Sequence, residues 1–161
     1  MFPKIPSWEA MHPLVVHFPI ALLLVAPLLV VLGLLLRAHG RGLALGGTVL
    51  MALGTAGAWV SASTGEAAIE LLKRGSPVVL EAIERHRNAA ESVRTLFTVL
   101  TLLFATLTWL PSGLSRRLSP RARLGLTFVL LAAYGGALLL LVRAAHLGGL
   151  LVHEYGIRAQ V

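Results

Sequence analysis

The chemistry open to this chain lies in five of its six histidines. They are His12 and His17 in Met11-His-Pro-Leu-Val-Val-His-Phe-Pro19, His86 in Arg85-His-Arg87, and His146 and His153 in Ala145-His-Leu-Gly-Gly-Leu-Leu-Val-His153. Imidazole is the commonest biological metal ligand, and its charge changes near neutral pH. All five sit in or beside long apolar runs, where an ionisable side chain is costly enough to be read as functional by default. The sixth, His39, stands between Arg37 and Arg41 in a short loop and reads as a topology or headgroup residue.

Helical geometry sorts the five into two levels. His12 and His17 lie about 7.5 Å apart along a helix axis and about 140° apart around it, so they do not share a metal from one face. His146 and His153 share a face about 10.5 Å apart in height. The deeper level holds His17 and His146; the shallower holds His12, His86 and His153. A bis-histidine haem needs two imidazoles from different helices. His17 with His146 is the first expected axial pair and His12 with His86 or His153 the second, which allows one haem or two. Arg94 and Arg143, near the histidine ends of the third and fourth apolar runs, either snorkel to the headgroups or neutralise haem propionates. Glu154 and Tyr155 are candidates to orient a ligand imidazole. Two other readings stay open. One is a non-haem site for Zn, Cu or Fe, which three imidazoles around one metal would suit. The other is a structural or assembly subunit without cofactor, its polar edge docking a partner.

These residues must be positioned by a membrane bundle. The 161 residues are 57% hydrophobic and only 13% charged, with a mean hydropathy of +0.82, whereas soluble domains carry about 25% charge. The fold class is all-α, a four-helix transmembrane bundle in a single domain. Its spans fall at about 13–36, 43–62, 93–110 and 124–152, each close to the roughly 20 residues that cross a bilayer. The first span does not read as a cleavable signal peptide, because its apolar run exceeds the usual length of about 7–15 residues. The link between spans two and three is the only long one. Ser63-Thr-Gly-Glu66 has capping-box spacing and predicts a short helix from Glu66 to Arg74, stopped by Gly75. Ser76-Pro77 predicts an N-cap followed by Pro at the first helical position. The stripe Val79, Ile83, His86, Ala90, Val93, Phe97 keeps helical spacing into the third span and turns His86 toward the bundle. Gly57, Ser61 and Gly65 recur every fourth residue on span two, as close helix packing or room for a flat cofactor requires. Thr95, Thr98 and Thr101 read as glue between helices.

Charge and composition exclude much. The net charge of +7 comes from basic residues in short loops, a membrane-topology pattern and not a nucleic-acid one. The two tight loops Arg37 to Arg41 and Arg116 to Arg123 hold six arginines and no acid, and their density predicts that they face the cytoplasm while both termini and the histidine edge are extracytoplasmic. With no cysteine, disulfides, Fe–S clusters and covalent c-type haem are excluded. No Ser/His/Asp set, phosphate loop or acid/base pair is visible, so an electron carrier or binding protein is expected over a stand-alone enzyme.

The segments His12-Pro-Leu-Val-Val-His-Phe-Pro-Ile-Ala21, Thr64-Gly65, a His in the following helix and Gly148-Gly-Leu-Leu-Val-His-Glu-Tyr-Gly156 resemble the uncharacterised bacterial membrane family known as domain of unknown function 2231. The resemblance covers nearly the whole chain. It implies four spans in a bacterial cytoplasmic membrane and, since some relatives accompany c-type cytochrome domains, a redox setting that favours haem b over zinc. The expected function is electron transfer between a quinol or other membrane donor and an extracytoplasmic acceptor such as a c-type cytochrome. His153 stands where the resemblance implies an aromatic such as Tyr, which would mark a second site peculiar to this protein.

Overall fold

The computed structural model describes residues 7–72, 75–109 and 118–157. They are helical, with no strand among them. A 3-10 turn, Trp8–Met11, leads into α1 (His12–Val15) and α2 (His17–Leu35); a second 3-10 turn, Arg37–His39, joins α2 to α3 (Gly40–Glu70). Two further helices follow, α4 (Pro77–Trp109) and α5 (Pro120–His153). Four segments are long and apolar enough to cross a membrane: Trp8–Leu35, Gly40–Glu70, Pro77–Trp109 and Pro120–His153. The ends of the expected link helix at Arg74 and of the third span at residue 110 lie outside the described residues.

Prolines write the local structure of the first span. Pro13 opens α1. Pro19 has no N–H for the carbonyl of Val15, and its ring crowds that carbonyl, so the helix is interrupted at Val16 before α2 begins. Pro27 lies inside α2 and leaves the carbonyl of Leu23 without its helical donor. Tyr134, fully buried on α5, supplies one: its hydroxyl donates to Leu23 O at 3.0 Å. Around it, Phe97 and Phe104 of α4 meet the Tyr134 ring edge-to-face at 5.0 and 6.1 Å. Leu23, Ala26 and Met51 complete the centre of the core.

The helices form two hairpins, α2 packing chiefly on α3 and α4 on α5, with α3 against α4 at the seam. Small residues let the first hairpin close. A Cβ on Gly47 would sit 2.9 Å from Ala26 O, and one on Gly54 2.7 Å from Leu23 Cγ. The seam is a ladder of hydroxyls. Thr55 Oγ1 lies 2.8 Å from Thr101 Oγ1, Thr48 Oγ1 3.1 Å from Thr108 Oγ1, and Trp59 Nε1 donates to Thr98 Oγ1 at 3.1 Å. Thr98 and Thr101 thus join helices as expected, whereas Thr95 is exposed. Outward faces stay apolar: Phe18, Leu53, Phe128 and Leu139 are among the large exposed side chains. A helix apolar on every face belongs in lipid.

One local expectation is corrected. Ser63 to Glu66 start no new helix, because α3 runs through them to Glu70. The Thr64 hydroxyl bonds back to Ser61 O at 2.9 Å instead of capping. The other signals in the link are found as expected: Ser76 Oγ faces Val79 N at 3.5 Å, Pro77 is the first residue of α4, and α4 continues unbroken through His86 into the membrane.

Candidate paired-histidine site

At 31, 33 and 34 residues, α3, α4 and α5 are about 46 to 51 Å long, against about 30 Å of hydrocarbon. With the arginine ends at headgroup level, counting roughly 20 residues along each span reaches the far interface near residues 15, 60, 89 and 140. His12, Ser61, His86 and Ala144 lie within about a turn of those points. The histidine edge is therefore an interfacial platform built from the projecting ends of all four spans.

Two histidines meet there. The His12 and His86 rings stand 6.4 Å apart, centroid to centroid, with planes at 77°. Both line one cavity of about 340 Å³. The His12 Nδ1 is 2.8 Å from Ser61 O and 3.2 Å from Thr64 Oγ1. His86 Nδ1 is 3.0 Å from Ala144 O. A carbonyl only accepts, so each Nδ1 carries a hydrogen; in the neutral ring Nε2 then keeps its lone pair, the state in which imidazole ligates a metal.

The two halves of this arrangement repeat one device. His12 bonds the carbonyl four residues before Gly65 and packs on that glycine; His86 bonds the carbonyl four residues before Gly148 and packs on that one. A Cβ on Gly65 would lie 2.9 Å from His12 Cε1, and one on Gly148 3.0 Å from His86 Cε1. One histidine-carbonyl-glycine unit belongs to the α1–α3 half and the other to the α4–α5 half. The carbonyls of Ser61 and Ala144 and the seat at Gly148 are not identifiable from sequence spacing. Gly65 stands out in the sequence only as part of a small-residue stripe.

The remaining lining is mainly apolar, with Ile69, Ile83, Leu151 and Val152 prominent and Glu9 the one carboxylate among the described residues. Among the described residues no set of three or more metal-ligating side chains converges.

The structure regroups the expected levels. His17 and His146 are exposed and do not line the cavity, whereas His12 and His86, one of the expected shallower pairs, meet in it. His153, at the end of α5, is exposed, as are Glu154 and Tyr155. Arg143 is exposed next to Ala144. Arg94 lies 4.3 Å over the Trp59 ring, its Nε buried without a hydrogen-bond partner. Neither arginine lines the cavity. His39 is exposed at the opposite edge.

These features define a multi-pass helical membrane protein with a paired-histidine cavity at one edge. The family described as a predicted membrane protein, domain of unknown function 2231, matches residues 9–161, and the chain belongs to it. No curated protein and no solved structure matches the chain.

Proposed function

We propose that this protein is a b-type haem carrier of the bacterial cytoplasmic membrane, in which His12 and His86 would hold the haem iron. The observation that carries the reading is the duplicated unit that sets two imidazoles, each held through Nδ1, with ring centroids 6.4 Å apart in one mainly apolar cavity. Two imidazoles flanking a single metal stand about 6 Å apart, since each metal–nitrogen bond is about 2 Å. The donor set agrees: a porphyrin supplies four nitrogens and asks two of the protein, whereas structural zinc asks about four ligands and catalytic zinc about three.

Bound there, haem b would exchange single electrons at its iron. The chain's own part is positional. The Ser61 and Ala144 carbonyls hold each ring in its tautomer and raise its basicity. Gly65 and Gly148 keep the space beside each ring clear, and the aliphatic wall limits water. The interfacial depth suits exchange between a quinol or other membrane donor and an extracytoplasmic acceptor such as a c-type cytochrome. In this reading the short basic loops face the cytoplasm.

The test is the absorption spectrum of detergent-purified protein made with ample haem. Wild type is expected to give a low-spin Soret band, and His12→Ala and His86→Ala each to abolish or convert it. His39→Ala, at the opposite edge, should leave it intact. A wild-type protein without Soret absorption, or unchanged spectra in both site variants, would refute the proposal.

A further inference from the structure

A second and larger cavity, about 500 Å³, opens at the other edge of the bundle. Its shape comes from the turn between α2 and α3. A Cβ on Gly33 would lie 2.9 Å from Gly40 O, and one on Gly40 2.7 Å from Gly33 O. Backbone meets backbone there, and neither glycine has a side chain to fill the space. Arg41 from the first turn of α3 and Arg123 from the first turn of α5 line the cavity, facing an apolar wall of Leu34, Phe104 and Leu107.

Charge at this edge is one-sided. Every acidic residue of the chain is a Glu, at positions 9, 66, 70, 81, 84, 91 and 154, all on segments that end at the histidine edge. The arginine edge carries no acidic side chain in its two loops, Arg37 to Arg41 and Arg116 to Arg123. The N-termini of α3 and α5 add partial positive charge. Guanidinium presents a planar fork matched to phosphate oxygens, and basic pockets between membrane helices suit anionic headgroups.

We propose that this cavity binds a phosphate group between Arg41 and Arg123, and that its source is an anionic phospholipid whose acyl chain leaves the cavity past the half-buried Leu34. A free phosphate ion would use the same arginines but gain nothing from the apolar wall.

Native mass spectrometry of the detergent-purified full chain tests this with phosphatidylglycerol, phosphatidylcholine and inorganic phosphate as separate additions. Wild type should retain a phosphatidylglycerol adduct in preference to phosphatidylcholine. Arg41→Gln and Arg123→Gln should each weaken it about fivefold. Arg121→Gln removes the same charge at an exposed position outside the cavity and should retain the adduct. Arginine-dependent binding of inorganic phosphate without the lipid would keep the phosphate site and overturn the lipid source. Equal binding of the two lipids, or equal weakening by Arg121→Gln, would overturn the site itself.

Discussion

The Tyr134 hydroxyl donates to the carbonyl of Leu23, the one carbonyl that Pro27, four residues on, cannot serve. A bond from the second hairpin thereby completes a helix of the first. In lipid the stranded carbonyl would find no water.

Tyr134→Phe should therefore destabilise the bundle by about 1 kcal/mol while preserving the aromatic packing on Phe97 and Phe104. Pro27→Ala restores a helical donor to Leu23, so the double variant should lose less than Tyr134→Phe does alone. Equilibrium unfolding in mixed detergent measures both. An undiminished loss in the Pro27→Ala background would mean that the ring, and not the hydroxyl, carries the effect.

Adjacent glycines on α5 should behave oppositely. Gly148→Ala places a methyl against the His86 ring, and Gly65→Ala does the same to His12; both should displace the rings and impair haem retention. Gly149→Ala meets nothing within 4 Å and should be neutral, or stabilising by up to about 1 kcal/mol through helix propensity. Haem content and thermal unfolding, read on the same three variants, separate a damaged site from a damaged fold.

The hydroxyl ladder at the hairpin seam should be coupled. Thr55→Val or Thr101→Val alone leaves the other hydroxyl without its best partner and should cost about 1 kcal/mol. Replacing both should cost less than the sum of the singles, because no orphan remains. Strict additivity in a double-mutant cycle would show that the 2.8 Å contact carries no net energy.

His17→Ala, His146→Ala and His153→Ala should each leave the haem spectrum unchanged, since all three side chains are exposed and none lines the paired-histidine cavity. Loss of the low-spin band in either of the first two would return the axial pair to the deeper level.

The four spans were legible because lipid-facing and core-facing residues are alike apolar, and such runs have no competing explanation. The start of α4 was legible for a local reason, the Ser76-Pro77 signature. The site was only half legible. Residue type and edge can be read along the chain, but the partner of each histidine depends on which helices adjoin. The break at Val16 also voids a regular 100° count between His12 and His17. The repeated unit could not be found as a period, because the interval from His12 to His86 differs from that between Gly65 and Gly148. Capping chemistry misled at Ser63 to Glu66, where a tertiary demand, seating His12 on Gly65, coincides with α3 continuing past the local signal.

Because each half of the protein contributes one imidazole with its own carbonyl and glycine, neither half alone holds the histidine pair. A ligand grasped by both rings would act as a rivet between two leaves that the Tyr134–Leu23 bond and the threonine ladder already join. Its affinity is added to their docking by mass action, and any relative sliding of the leaves would be felt first as a change in the grip on that ligand.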